Sequence, residues 1–381
     1  MEKFSKWRDP ATGIQPFLPP VAPNKVNPVF KILLYPSCVF HSLVRGILLG
    51  IVAILHILLV NIICFPFILI PQLHYLLSTI FTTITTRLSL FLMGYWSIPL
   101  DIITPKRTKT SSVSQSLRSP LKGDLIISNW TSYVDIIYLT YKFNPTFLLP
   151  IFSPSPPPKS ALTGKHTGTG SAQLISKLPQ PSLLGYIPLS LFSLLFQTGS
   201  LPTIHSTTPK GMYKSLQDAR KKCLGPIVLL PECTTSNGRA LLRFPEGLLS
   251  QEDIGDKGLT WIIYLRHSSP TPFAPSATCP LPQPFRHLFG SLLFTPTPMP
   301  QRSLGVRMLH PSASPSSPSF LPSEILADHP GGLEGLGKNG EGVWREAVSV
   351  VLAETGKVRR VKGMGWVEKE GFLEYWNTKR R

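Results

Sequence analysis

The sequence is short of acid, of charge and of cysteine. Only 20 Asp and Glu stand against 38 Lys and Arg, a net charge of +18, and charged residues make up just 15% of the 381. With a positive mean hydropathy, that excludes a wholly disordered chain, because disorder goes with low hydrophobicity. Five cysteines (Cys38, Cys64, Cys223, Cys233 and Cys279) are scattered and odd in number, with no Cys-x-x-Cys pair. This speaks against a disulfide framework or a zinc site and for a reducing compartment. The nine histidines show no metal-ligand spacing, and no metal is expected. Residues 1–25 lack a leading apolar core, so no cleaved signal peptide is expected. No repeat of 20 to 50 residues is apparent.

The longest absence is of charge. Residues 46–86 contain no Asp, Glu, Lys or Arg over 41 positions, whereas one membrane-spanning helix needs about 20. The stretches IVAILHILLVNIICFPFILI (51–70) and LSTIFTTITTRLSLFLMGYW (77–96) are separated near Pro66 and Pro71. Lys25, Lys31 and Arg45 precede the run, and Arg87, Lys106, Arg107 and Lys109 follow it. Basic flanks on both sides suit a hairpin that enters and leaves on the cytosolic face; a buried helical pair of a soluble domain is the alternative. His56 and His74 read as helix-packing residues.

What is abundant is proline, 40 residues against an ordinary frequency of roughly 5%. Short elements joined by irregular segments follow. DLIIS (124–128), FLLPIF (147–152), PIVLLP (226–231) and LTWIIYL (259–265) read as buried strands, and GMYKSLQDARKKC (211–223) as a helix, an α/β alternation. GVWREAVSVVLAE (342–354) reads as a helix stopped at Gly356, and 371–381 as a short amphipathic tail with a basic end. Three Pro/Ser-rich stretches, 153–172, 268–284 and 310–323, read as loops or disordered insertions. The basic stretch 105–122 lies either on anionic headgroups or in solvent. The expected division is a polar segment 1–29, a membrane hairpin 30–100, an α/β domain 101–309 with insertions, and a linker with C-terminal helices 310–381.

Two polar stretches leave strands: Ser128-Asn129-Trp130-Thr131-Ser132-Tyr133-Val134-Asp135 and Leu230-Pro231-Glu232-Cys233-Thr234-Thr235-Ser236-Asn237-Gly238-Arg239. An α/β sheet places its ligand site there, at the carboxyl ends of its strands. Taken alone, the second is a strand end with a tight Asn-Gly turn and a surface arginine.

With the upstream apolar run, these stretches resemble the glycerolipid acyltransferases, including the lysophosphatidic acid acyltransferases. Their first motif, Asn-His-x-Ser-x-x-Asp, is similar to Asn129, Ser132 and Asp135; their third, Phe-Pro-Glu-Gly-Thr-x-Ser, is similar to Pro231, Glu232 and Thr234. The opening MEKFSKWRDPATGIQPFLPP, NWTSYVD and PECTTSNGRALLRF resemble more narrowly a fungal subfamily, linked to lipid droplets and vacuolar sorting, in which the motif-one histidine is likewise replaced. The resemblance implies an acyltransferase-type mixed sheet flanked by helices. It implies a membrane-bound enzyme moving a fatty acyl group from acyl-CoA to a lysophospholipid, lysophosphatidic acid first, in phospholipid and triacylglycerol synthesis. It implies Asn129, Ser132 and Asp135 as catalytic residues, and Glu232, Thr234, Asn237, Gly238 and Arg239 (or Arg243) as substrate-binding ones, an arginine pairing the acceptor phosphate. No cofactor is expected beyond acyl-CoA as co-substrate. The expected location is the endoplasmic reticulum membrane or lipid droplet, catalytic domain cytosolic. A non-catalytic lipid-binding or trafficking factor is the alternative; nucleic acid is not an expected partner.

Three departures stand out. Trp130 occupies the histidine position, and an indole N–H donates but takes no proton. No His-x-x-x-x-Asp occurs elsewhere, which leaves Asp135 itself, another histidine such as His205, or orientation alone to supply catalysis. Cys233 stands where glycine is usual. LGYIPLSLFSLLF (184–196) lacks the arginine of the second motif. FPEG (244–247) matches the third motif more literally, but no strand is expected before it, and it reads as a decoy. The Asn129-Trp130-Thr131 sequon is not expected to be glycosylated on a cytosolic domain.

Overall fold

Short apolar strands, each ended by turn-forming residues, assemble into a mixed sheet. The structure is a computed structural model that describes residues 4–22, 28–103, 118–154, 181–254, 258–272, 274–293, 302–328 and 342–378. Among them are β1 (Leu100–Ile103), β2 (Leu125–Ser128), β3 (Thr146–Phe152), β4 (Leu183–Leu189), β5 (Ile227–Leu229), β6 (Ala240–Leu242), β7 (Thr260–His267), β8 (Leu304–Leu309) and β9 (Arg359–Val361). Seven make one sheet in the order β1-β8-β7-β2-β5-β3-β4, and β6 pairs with β9 separately. β7, β2, β5 and β3 are mutually parallel, so their carboxyl ends share one edge. β4 and β8 run antiparallel to β3 and β7.

Successive strand residues face opposite sides, and both sides are covered. Leu125, Ile127, Ile262 and Tyr264 join the helix Val343–Gly356 on one face; Ile126, Trp261, Ile263 and Leu265 join the helix Tyr133–Phe143 on the other. Two-sided burial explains why these strands read as continuous apolar runs rather than alternating ones. Each such Ile or Leu contributes about 1.5–3 kcal/mol.

The charge-free run lies within two long helices, α1 (Pro28–His56), continued in π geometry to Ile63, and α2 (Pro71–Leu92), joined through a 3-10 turn at Phe65–Leu69. Both are long and apolar enough to cross a membrane. The first leaves Ile32, Ile47, Ile54 and Ile62 more than half exposed. The second is two-faced. Its Ser78, Thr82, Thr85, Thr86 and Leu90 are buried, and Asn144 Nδ2 donates to Thr79 Oγ1 at 2.8 Å from the end of the helix Tyr133–Phe143. His56 bridges the two helices, Nδ1 lying 2.7 Å from Thr85 Oγ1, the packing role expected of it.

The four expected strands are present; other expectations need correcting. The helix read over 211–223 is confined to Leu216–Lys222, capped by Ser215, because Tyr213 pairs its backbone with Tyr186 instead. The helix Val343–Gly356 runs through Gly356, and Lys357 takes the left-handed position at φ +51°. The amphipathic tail begins earlier, as the helix Trp366–Thr378. FPEG does follow a strand, β6, which pairs with β9 rather than with the main sheet. Of the three proline-rich stretches, the described parts of 268–284 and 310–323 are packed: Ala277, Cys279, Ser314 and Phe320 are buried. Backbone and Ser/Thr hydrogen bonds hold them where an apolar count shows no core. Most of 153–172 and of 105–122 lies outside the described residues. The N-terminal segment packs on the C-terminal helix: Trp7 meets Phe372 of the helix Trp366–Thr378 edge-on at 5.6 Å between ring centroids, and Phe17 meets it tilted at 5.5 Å.

Candidate functional site

The turn after β2 is organised by Asp135. Ser132 caps the helix Tyr133–Phe143: its Oγ accepts the Val134 N–H, and Asp135 Oδ2 accepts the Ser132 N–H at 2.9 Å, a reciprocal box that satisfies donors left over at a helix start. The same Oδ2 accepts the Thr131 N–H and hydroxyl, each at 2.8 Å. With Oδ2 filled by three donors, Oδ1 is left to His267, whose Nε2 lies 2.7 Å away. Both side chains are buried, Asp135 at 0% and His267 at 2% exposure. The other imidazole nitrogen, Nδ1, is buried without a partner among the described residues.

Strand register delivers this histidine. Ser128 pairs with Ile263, so β7 continues past the end of β2 to His267. His267 has the same parity as Trp261, Ile263 and Leu265, which face the helix Tyr133–Phe143, and it therefore meets Asp135. Asn129 locks the register: its Nδ2 donates to the Leu265 carbonyl at 2.9 Å and its Oδ1 accepts the Leu265 N–H at 2.7 Å. Ser132 Oγ donates to the Ala277 carbonyl at 2.7 Å. Of the three residues expected to be catalytic, Asp135 thus holds a titratable partner, while Asn129 and Ser132 are spent on backbone. His205, the alternative weighed from sequence, sits beside Phe152, to whose carbonyl its N–H donates at 3.0 Å.

The second turn is a junction. Glu232 Oε1 accepts the Trp130 N–H and Oε2 the Leu242 N–H, both at 3.0 Å. Burial raises its carboxyl to about 8, against the lowering effect of those two bonds. Lys369 Nζ, fully buried, donates to Thr234 Oγ1 and the Thr235 carbonyl, both at 2.8 Å; burial lowers it to about 7 while Cys279 and Glu232 raise it. Asn237 Nδ2 donates to the Gln15 and Leu18 carbonyls at 2.7 and 2.9 Å, which docks the N-terminal segment. Cys233 adopts φ +59° and Gly238 φ +73°, so the position where the family motif has glycine is one whose backbone favours it. Arg239 is exposed, and Arg243 pairs with Glu368 at 2.7 Å. Glu232, Thr234 and Asn237 therefore hold the turn together, and Arg239 alone of the expected binding side chains points to solvent.

A cavity of about 400 Å³ lies between α1, α2, Tyr133–Phe143 and the segment 284–293, lined by Gly50, Ala53, Ser89, Tyr133, Ile137 and Phe289 among others. Tyr133 Oη lies 3.2 Å from His287 Nδ1, an imidazole that burial and then Arg302 lower to about 4. The guanidinium of Arg302 donates to the carbonyls of Pro275 and Ser291. The Cys279 N–H donates to the Thr131 carbonyl at 2.8 Å, so residues 274–281 are tied to the same turn that holds Asp135. Among the described residues no group of three His, Cys, Asp or Glu side chains could hold a metal ion.

The residue missed from sequence is His267, 132 positions from Asp135. Its signal was strand parity: one more pair of residues on LTWIIYL puts a histidine on the buried face at the carboxyl end. Compared with protein-family models, with curated proteins and with solved structures, the chain matches none.

Proposed function

We propose that this chain is a membrane-bound O-acyltransferase that moves a fatty acyl group from acyl-CoA to the hydroxyl of a lysophospholipid, lysophosphatidic acid first, in phospholipid and triacylglycerol synthesis. The reading is carried by one observation: an apolar cavity of about 400 Å³ lies between α1, α2 and the helix Tyr133–Phe143, the same helix whose first turn holds the buried Asp135. Ligand pockets are typically about 300–1,000 Å³, apolar, with few polar groups. An acyl chain fits that description.

The membrane arrangement follows from exposure. The outer face of α1 is apolar and exposed, while α2 lies against the α/β body through its hydroxyl-bearing face. A hairpin sunk in the leaflet nearest the body satisfies both, with the catalytic side cytosolic, on endoplasmic reticulum or lipid droplet. It lets acyl chains pass from leaflet to cavity without crossing water.

The test is transfer of labelled oleoyl groups from CoA to lysophosphatidic acid by the purified chain in phospholipid nanodiscs. Incorporation is expected, together with a shift toward shorter acyl-CoA in Ala53→Trp, which fills the cavity. No incorporation above empty nanodiscs would remove the reading. The second reading, a non-catalytic lipid-binding or trafficking factor, draws on the internal commitment of Asn129, Glu232, Thr234 and Asn237; it gains from lipid retention without turnover.

A further inference from the structure

We infer that His267, supplied by β7, is the general base of this site and acts through Nδ1. The inference rests on the acyl-transfer reading and goes beyond it, because neither motif contains this residue. Three features meet in one side chain. His267 Nε2 is 2.7 Å from Asp135 Oδ1. A carboxylate only accepts hydrogen bonds, so the neutral ring carries its proton on Nε2 and presents a lone pair at Nδ1. That Nδ1 is buried and has no partner among the described residues, and buried polar atoms without partners are rare enough to require an explanation.

The surroundings agree. Tyr95 meets the imidazole edge-on, ring centroids 6.4 Å apart, and its hydroxyl is also buried without a partner among the described residues. Asp135 is held by three donors on Oδ2, so the orienting carboxylate is fixed before any substrate arrives, as a base–orienter pair requires.

In the proposed step the acceptor hydroxyl gives its proton to Nδ1 while its oxygen bonds to the thioester carbonyl carbon. The tetrahedral intermediate collapses by breaking the C–S bond. The departing CoA sulfur takes the proton back from Nδ1, leaving an ester, CoA thiol and a neutral imidazole. Asp135 remains a carboxylate throughout and stabilises the transient imidazolium. Trp130 then marks a base that has moved to another strand, not one that has been lost.

His267→Gln tests this, since the amide can still donate to Asp135 Oδ1 but offers no basic nitrogen. The wild type and the variant are compared in nanodiscs for kcat, for KM of acyl-CoA and for thermal unfolding. A fall in kcat of about 100-fold or more, with KM and unfolding temperature little changed, is expected. A folded variant that keeps more than a tenth of kcat overturns the assignment and leaves the acyl-transfer reading standing. Should His267→Gln fail to fold, His267→Ala with added imidazole decides: restored turnover supports the base, and its absence overturns it. A wild type without transfer removes both the reading and the base.

Discussion

Glu232 and Trp130, 102 positions apart, are joined by a hydrogen bond of 3.0 Å from the Trp130 N–H to Glu232 Oε1. Through its other oxygen, Glu232 reaches the Leu242 N–H of β6. One buried carboxyl thereby binds the turn after β2 to the small β6/β9 sheet. Its hydrogen bonds are structural, which separates its role from that of Asp135, one of whose oxygens faces an imidazole.

The pH dependence of stability follows from this burial. Glu232 is raised to about 8 from the usual carboxylate range near 4.5. Below about 4.5 folded and unfolded chains both hold the proton. Between about 4.5 and 8 the unfolded chain loses it while the folded one retains it, so stability falls as pH rises, by about 1.4 kcal/mol per unit at most. Lys369, lowered to about 7, acts in the opposite sense: stability recovers as pH rises from about 7 towards its unfolded value near 10.5. Thermal unfolding across pH 4 to 10 is expected to show a fall and then a recovery. Glu232→Gln should abolish the fall and Lys369→Met the recovery; a flat profile in the wild type would contradict the burial of both.

Cys233 sits at φ +59° with its thiol buried. A non-glycine residue in this region costs roughly 1–3 kcal/mol, while glycine loses the buried side chain and adds chain entropy of about 0.5–1 kcal/mol. These terms nearly cancel, so Cys233→Gly should change stability by less than about 1 kcal/mol. Cys233→Val adds a branched Cβ to the same backbone and should cost more than about 2 kcal/mol. Chemical denaturation of the two variants provides the comparison; equal losses would mean that packing, not backbone, governs the position.

Gly199, at φ +89°, lies so close to the 274–281 segment that a Cβ there would fall on the Leu281 carbonyl. Gly199→Ala must push that segment away, and the Cys279–Thr131 bond with it. Lower stability by about 2 kcal/mol and faster proteolysis within 274–281 are expected. Gly211→Ala, where a Cβ meets nothing within 4 Å, bears only the backbone cost and should leave 274–281 as resistant as before.

The strands were legible because β2, β3, β5 and β7 are buried on both faces and bounded by Pro, Gly or polar turns. The Asp135 turn was legible too, as a polar stretch leaving a strand, but the helix Tyr133–Phe143 that it caps was not. His267 was not, because its partner is distant in the chain and its strand seemed to end at Leu265. Nor was the packing of 268–284 and 310–323, which rests on hydrogen bonds such as Ser132–Ala277 and Arg302–Pro275 for the first and Thr260–Ser316 for the second that leave no trace in hydropathy. The junction role of Glu232, Thr234 and Asn237 was hidden for a related reason: a short polar turn reads the same whether it binds a ligand or its own chain.

Trp130 is the position where sequence and structure lead to different experiments. By sequence alone, restoring histidine there could awaken a dormant base. In the structure Trp130 is 1% exposed, packed in the core cluster of the helix Tyr133–Phe143, and Asp135 Oδ1 already has His267 as its partner. An imidazole is smaller than an indole, so Trp130→His leaves a void; large-to-small changes at buried aromatic positions cost about 3–5 kcal/mol when truncated to alanine, and histidine should cost about 2–3 kcal/mol. It also puts two ring nitrogens where the indole has one buried N–H, which adds to the polar burial. Trp130→His is therefore expected to unfold at lower denaturant and to show no gain in acyl transfer, whereas Trp130→Phe should retain most of both. A rise in kcat in Trp130→His, persisting in the double variant Trp130→His/His267→Gln, would show that the motif position still accepts the base and that β7 does not supply it.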